Sequence, residues 1–576
     1  GPYMDQAKLS SLMNMLIKTY YSLLADISQL SKCPLGAPDD LPMSWVLVEG
    51  PKLDKALLGY IENNELEKPI FPEWLSPLWE RFLAKNEAVD LMYLRQCLVF
   101  CYKAEFEPST EQIVSSERSF RDVDLDVGLW DAWFNSQDTK EPLFRSARSI
   151  VGSVIYRINW RDLIPSHGPG AVFPSRIPSE KSCFSVYYNS ICQLYPYDQY
   201  FCGLYSFWNS TMVENDHLIE SKDDIVCRLT AVPKDSRGPR LICVHPAESI
   251  WIQQGQRRLL EGAISRSPIG PFINFKDQTV NGQMALKSSL SREYCTLDLK
   301  DASDRISLGL VRYLFGGAYQ FLASTRASHV VYSDNRVEKL YKFAPMGNCL
   351  TFPIESLVFY SLVRASIRCQ YGIDCVNIYV FGDDIVFPSK YATGVLKSIE
   401  RAGLVPNLQK TFVHGFFRES CGVDAYRGTN ITPYRMKVHN TDSYSALISL
   451  CDLAKRLRLG GYEFTSSFIY SSVRKVLGKL HLSNNPDTQG IFEYVSSLST
   501  LFYNESSIRF NRHLHRWETR VLLVQGLLEG PHKDDWYHLQ DSLLSLELSS
   551  KPNRDRRTEY PVPYRARPTY GWTSIT

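Results

Sequence analysis

The sequence predicts an α+β protein, and three successive textures along the chain predict it. Up to about residue 225 apolar residues recur at helical spacing. From about 225 to 430 the chain breaks into short strands, Gly/Pro turns and clustered polar motifs. Residues 441–550 return to helical patterning.

The elements follow in order. "AKLSSLMNMLIKTYYSLLADIS" has one apolar face and predicts an amphipathic helix, and residues 70–110 predict further helices between Pro-rich breaks. "CTLDL" predicts a strand ending at Asp298, and "ASDRISLGLVRYLF" the helix that follows, starting near Ser303 and capped by Asp301. "VNIYVF" and "IVF" flank "GDD", a β-hairpin with Gly382 in a turn conformation open to few other residues. "SYSALISLCDLAKRLRL" and "DDWYHLQDSLLSLEL" predict late helices. The tail from 551 carries six basic residues against two acidic, with four Pro and four Tyr/Trp. It reads either as a solvated terminus or as a nucleic-acid or partner contact, since Arg binds phosphates and aromatics stack on bases.

Composition narrows the class. With 44% hydrophobic and 12% aromatic residues over 576, the chain has the means to bury a sizeable core and is not a disordered one. A formal charge of +2 argues against a uniformly basic coat and leaves room for local basic channels. The 14 cysteines include no CxxC pair, which predicts reduced thiols in a cytosolic-type compartment. No apolar run approaches the ~18 residues that span a membrane, and the polar start predicts a soluble, intracellular protein. Gly1-Pro2 before Met4 resembles a protease remnant and is set aside.

The chemistry gathers around "NIYVFGDDIVF", where Asp383 and Asp384 stand together in an apolar stretch. Adjacent carboxylates repel, and burying them unpaired is costly. A hairpin tip presents them to solvent or to a cation, although Gly-Asp-Asp by itself is also an ordinary turn. Asp298, at the end of its own strand, could face that tip. Three carboxylates from two strands suit two divalent cations ~3.5–4 Å apart, the arrangement that stabilises attacking and leaving oxygens in phosphoryl transfer. Mg²⁺ is the hard cation that prefers such oxygens. In "VPKDSRGPR", Lys234, Arg237 and Arg240 recur every third residue, either to clamp a triphosphate or as a solvated basic turn. In "APMGNCL", Gly347 lets backbone pass close to a template or nucleotide and Asn348 offers a hydrogen bond to a ribose hydroxyl; the bland alternative is a self-satisfied loop. Lys410 in "NLQKTF" is suited to a departing pyrophosphate, or is a surface lysine. His167, His245 and His414 lack metal spacing and read as structural.

In this order the motifs resemble the palm of viral RNA-dependent RNA polymerases. The likeness is greatest to replicase subunits of positive-strand RNA bacteriophages, the levivirus-like group, with narnavirus-, mitovirus- and ourmiavirus-like relatives. "HGPGAV" (167–172), "TAVPKDSRGPRLICVHP" (230–246), "DQTVN" (277–281), the D-x5-D of Asp298 and Asp304, "MGNCLTFPIES" (346–356), "FGDD", "NLQKTF" (407–412) and "FFRESCGVDAY" (416–426) carry it. The resemblance implies a right-hand polymerase with fingers, an antiparallel-sheet palm and a thumb. It implies an N-terminal helical region with part of the fingers over 1–225 and fingers with the basic motif over 226–295. The palm would be 296–430 with part of the fingers inserted at about 311–343, followed by a helical thumb over 431–550 and a basic, aromatic tail over 551–576. Asp298, Asp383 and Asp384 inherit metal binding to two Mg²⁺ ions, with Mn²⁺ as a substitute. Lys410 inherits the role of general acid, and Lys234, Arg237 and Arg240 the nucleotide's phosphates. Ser303, Asp304, Gly347 and Asn348 inherit the ribose and nucleotide site. Implied partners are RNA template and nascent RNA, ribonucleoside triphosphates, host elongation factors Tu and Ts and an OB-fold ribosomal protein, in host cytoplasm with no membrane.

Two rivals differ in class. A reverse transcriptase shares the palm but typically carries "ADD" and a bulky aromatic near the first metal acid, where this chain has "GDD" and "LKDASD". A non-catalytic RNA-binding scaffold, decayed from a polymerase, would tolerate loss of Asp298, Asp383, Asp384 or Lys410, and all four are present.

Overall fold

Amphipathic helices open the chain and are closed upon its far end. The computed structural model describes residues 6–176, 181–182, 184–201, 219–524 and 568–576. Helices α1 (Gln6–Ser31), α2 (Gly50–Glu62), α3 (Ser76–Lys85) and α4 (Ala88–Val99) form the N-terminal part. Their apolar faces share one core with Leu450, Leu457, Ile469 and Tyr470, from the late helices Tyr444–Leu459 and Glu463–Leu477. Polar contacts fix that closure. Asp26 of α1 accepts the Phe464 and Thr465 backbone N–H groups at 3.0 and 2.8 Å, satisfying donors that open helix Glu463–Leu477. Arg95 of α4 is fully buried between Asp54 of α2 (2.9 Å) and Asp424 (2.6 Å). A buried guanidinium persists only where carboxylates meet it, so this triad locks the N-terminal helices to the sheet region.

Two further long helices follow, α5 (Thr110–Ser136), whose start is closed by a Ser109/Gln112 capping box, and α6 (Pro142–Ile155). The next layer is a four-stranded sheet in the order β2-β1-β5-β6: β1 (Val226–Asp235), β2 (Gly238–Val244), β5 (His329–Val331) and β6 (Val337–Lys339). Thus residues 329–339 leave the central region and pair back onto β1, Val226 against His329. Helices α7 (Ala247–Arg266) and α8 (Thr279–Ser291) lead to the central sheet. It consists of β3 (Tyr294–Leu297), β8 (Asp384–Pro388) and β7 (Tyr379–Phe381), all antiparallel. A short pair, β4 (Leu299–Lys300) with β9 (Val405–Pro406), extends its end. The hairpin β10 (Phe417–Ser420) and β11 (Val423–Tyr426) packs beside it. Helices α9 (Leu308–Phe315), α10 (Thr351–Tyr371) and α11 (Ala392–Arg401) back the sheet, and α10 is buried along most of its length.

Several expectations change. The helix after Asp298 begins at Leu308, not near Ser303, because Ser307 accepts the Leu310 N–H; Asp301 sits in a left-handed turn (φ 49°) and caps nothing. Within 482–524, expected as helix, only Leu498–Asn504 is helical, and the strands Gly490–Ile491, Ile508–Asn511 and Arg516–Val524 build a sheet. The tail's last part is no loose terminus. Pro568–Ser574 adds a strand to Arg516–Val524 over seven paired residues. The "DDWYHLQDSLLSLEL" helix and residues 551–567 lie outside the described residues. Every described cysteine is a free thiol, and no described helix is long and apolar enough to cross a membrane.

Candidate active site

Register brings the acids together. Ile385 pairs with Leu297, so one step further Asp384 lies across from Asp298. Gly382 makes the turn at φ 60°, and its N–H donates to Ser356 Oγ of α10 at 3.2 Å. Asp383 projects at the exposed tip, while Asp298 and Asp384 are half-buried. The hairpin is braced from outside: Asn281 of α8 donates to the Asp384 and Tyr379 carbonyl oxygens at 3.2 and 3.4 Å. Here the "DQTVN" stretch finds its structural use.

The segment behind β9 holds Asp298. Asn407 donates its backbone N–H to the Asp298 carbonyl (2.8 Å) and its side-chain amide to Asp298 Oδ2 (3.0 Å). The following turn closes with Lys410 N–H on the Asn407 carbonyl, which sets the exposed Lys410 beside the acids. Past it, Glu62 of α2 accepts the N–H groups of Val413, His414 and Gly415, and the buried Arg418 donates to the carbonyls of Tyr294, Val413, Gly415 and Phe417 at 2.7–2.8 Å. The N-terminal helices and the β10–β11 hairpin therefore both hold the loop that carries Lys410.

The electrostatics are those of acids awaiting cations. Enclosure raises all three carboxyls. Asp384 is pushed up to about 6, by burial first and then by Asp383 and Asp298. Burial also raises Asp298, with Lys410 opposing and Asp383 adding to the rise. Asp383, although its side chain reaches the surface, is raised by the protein packed around its carboxyl, against a backbone hydrogen bond, Lys410 and Arg240. A fourth carboxyl lies beneath them. Glu355 of α10, 7% exposed, is held well above the ordinary range by burial and by Asp383, Asp304 and Asp384. The donor set, all carboxylate oxygen, fits a hard divalent cation. Among the described residues no three such side chains close on a common point as a preformed metal cage.

Cations approach from three parts of the chain. Lys234 and Arg240 are exposed on β1 and β2. Arg237 is not equivalent to them. It is paired with Asp235 at 2.7 Å and stacked 4.4 Å over Tyr102, so the every-third spacing does not deliver three free charges. Lys55 arrives on α2 and Lys103 in the turn after α4, and each feels Lys410. Lys103 also lines a cavity of about 870 Å³ with Arg435, Lys437, Lys455 and Arg456. Burial first, then Arg435, Lys437 and Lys410, pull its ammonium down to about 8.

The expected sugar site is partly rearranged. Ser303 and Asp304 lie on a short turn before α9, and Asp304 is 3.3 Å from the fully buried Lys342, an ion pair and not a helix cap. Gly347 (φ 112°) serves packing: a Cβ there would meet the Cys243 carbonyl of β2 at 2.1 Å. Asn348 accepts the Leu350 N–H at 2.8 Å and so shapes the start of α10, while its amide nitrogen is buried without a partner. His245 is buried and His167 half-buried, both lowered by burial, and His414 is exposed with its backbone N–H on Glu62. Sequence reasoning missed Glu355, Lys342, Lys103, Asn281 and Asn407. Glu355, Asn281 and Asn407 sat inside motifs that had already been singled out; Lys342 and Lys103 did not.

A family model described as RNA replicase, beta-chain matches residues 209–504. Three relatives illustrate the likeness. The RNA-directed RNA polymerase beta chain of Enterobacteria phage fr is 36% identical over 220 residues, 38% of this chain and 39% of that one. That of Escherichia phage MS2 is 36% identical over 208 residues, 36% and 37% of the two chains. The RNA-directed RNA polymerase subunit beta of Qbeta virus (strain MX1) is 32% identical over 285 residues, 48% and 47%. The matched stretch spans less than half the length of each relative. The crystal structure of an RNA-dependent RNA polymerase from a human picobirnavirus, an insertion loop deletion mutant, aligns at 13% identity over 70% of this chain and 85% of that one. Its TM-score is 0.38.

Proposed function

The chain belongs to the RNA replicase beta-chain family, and from that premise we propose that it is a template-directed RNA polymerase that replicates a positive-strand RNA virus genome. The observation that carries the reading is the register that faces Asp384 with Asp298 and brings Asp383, Lys410 and Arg240 to the same cleft. In this reading residues 296–430 are the palm and 226–295 the fingers. The return of 329–339 to the β1 sheet supports the fingers insertion at about 311–343. The thumb follows 431.

Asp298, Asp383 and Asp384 would hold two divalent cations, Mg²⁺ with Mn²⁺ able to stand in, which supply positive charge to the attacking and leaving oxygens. Lys234 and Arg240 hold the triphosphate by charge-assisted hydrogen bonds. Arg237, engaged by Asp235, shapes the turn between them. Lys410 offsets charge on the departing pyrophosphate or gives it a proton. Asp304, oriented by Lys342, accepts a hydrogen bond from the ribose, and a site built to bond a hydroxyl rejects a sugar that lacks it. Lys55, Lys103 and Lys437, cations from distant segments, suit polyanionic substrates entering a near-neutral protein.

The test is incorporation of labelled ribonucleotide on an RNA template with Mg²⁺, with and without primer, and with and without the host elongation factors and ribosomal protein. Asp383→Asn and Asp298→Asn remove charge with little change in volume. Each should leave folding intact while synthesis falls by several orders of magnitude. A folded variant within about tenfold of the parent would sink the assignment of these acids. A parent that binds RNA without synthesis would be the scaffold.

A further inference from the structure

The C-terminal sheet carries a surface that the polymerase chemistry leaves unused. Label its strands β12 (Gly490–Ile491), β13 (Ile508–Asn511), β14 (Arg516–Val524) and β15 (Pro568–Ser574). Register assigns the faces, because residues directly opposite one another share a side. Arg509 pairs with Glu518 and Glu518 with Ser574; Asn511 pairs with Arg516, Arg520 with Trp572, and Leu522 with Tyr570. The alternate residues Thr519, Val521 and Thr573 are buried on the inner side. The outer face is thus a field of arginine and aromatic side chains.

Its internal arrangement is ordered. Arg509 lies 4.0 Å over the Trp572 ring and Arg520 lies 4.9 Å over Tyr570, whose side is 54% exposed. Glu518, the one acid on this face among the described residues, is 1% exposed and already engaged by Arg509, Arg516 and Asn511. Arg520 is left with no carboxylate partner among the described residues. So is Arg512, exposed in the β13–β14 turn beside His513 and His515. Of the tail's aromatics, which the sequence left between two readings, Tyr570 and Trp572 are joined to the sheet by the seven pairs of β15; the tail's arginines lie outside the described residues.

We propose that the outer face of this sheet is a platform for single-stranded RNA, distinct from the catalytic cleft. Unpaired guanidinium groups meet phosphates, and exposed rings and ring-stacked guanidinium planes offer flat surfaces to unpaired bases. A duplex, its bases already stacked, finds less here. Choosing RNA as the polyanion rests on the polymerase reading; the binding itself does not.

The test is fluorescence anisotropy of an unstructured, labelled RNA oligonucleotide against the full chain over a salt series, with no nucleotide or divalent ion. The same strand annealed as a duplex is the comparison. Arg512→Ala and Arg520→Ala should each weaken binding and reduce the slope of log affinity against log salt by about 0.7, the value for one phosphate contact on a single strand. Tyr570→Ala should weaken single-strand binding about five- to hundredfold with the slope kept, and Tyr570→Phe should restore it by keeping the ring. Unchanged affinity and slope in both arginine variants overturn the platform. Equal weakening of single strand and duplex by Tyr570→Ala overturns the stacking role. Because no synthesis is measured, failure here leaves the polymerase reading standing, and failed incorporation leaves this result standing.

Discussion

Gly382→Ala tests the hairpin on which the acids stand. The residue sits at φ 60°, where a Cβ costs roughly 1–2 kcal/mol against the following carbonyl. The added atom would also lie 2.6 Å from Phe352 Cε2 and 3.1 Å from Glu355 Oε1. Phe352 cannot swing aside freely, because it packs edge-on against Phe381 and Phe275. Overpacking of that kind costs about 1–3 kcal/mol. Together the substitution should cost about 2–5 kcal/mol in urea unfolding. Relief by shifting the turn would move Asp383 and Asp384 relative to Asp298. A displacement on the order of 1 Å is worth about a hundredfold in rate, so kcat should fall by that amount with KM nearly unchanged. The assay pairs urea unfolding with steady-state incorporation on a primed RNA template. Phe352→Leu in the same chain should return the overpacking part and leave the left-handed part. Stability within about 1 kcal/mol of the parent and kcat within about threefold would refute the reasoning.

The remaining predictions concern charge. Arg240→Ala should lower kcat/KM for nucleotides about 10- to 150-fold through lost charged hydrogen bonds. Arg237→Ala, already neutralised by Asp235, should act mainly on thermal stability; the reverse order of effects would restore the trio as equals. Asp304→Ala should reduce the ratio of kcat/KM for ATP over dATP, chiefly through poorer use of ATP, and Lys342→Met should move the ratio the same way; an unchanged ratio in both removes Asp304 from sugar recognition. Lys103 is pulled down to about 8 from an ordinary 10.5, so between those values the unfolded chain binds the extra proton. Its contribution to stability is therefore present above about pH 10.5 and is lost as pH falls through about 8. Its charge for a polyanion runs the other way. Inhibition by inorganic triphosphate should weaken as pH rises through about 8, and Lys103→Met should abolish that step; a parent profile flat across this range would contradict it.

What the sequence by itself determined is local chemistry. A glycine before two acids inside apolar strands admits few conformations, so "FGDD" declared its hairpin, and "CTLDL" declared a strand with an acid at its end. "NLQK" offered Lys410 next to a turn. The helix start was misread because "DASDRISLGL" offers Asp301, Ser303 and Ser307 as caps, and only packing of α9 chose the last. The basic trio was overcounted because spacing shows charges but not their partners, and Asp235 had first access to Arg237. The helical reading of 482–524 failed for a related reason: short strands owe their state to cross-strand neighbours far along the chain, here a tail strand some fifty residues on. Only the tertiary structure decided that Asp384 faces Asp298 and that Asn281 and Asn407 brace them. It alone set Glu355 beneath the tip and brought Lys55 and Lys103 beside Lys410. Each is a contact between residues distant in sequence, selected by burial and by competition among charges, and no linear pattern records that choice.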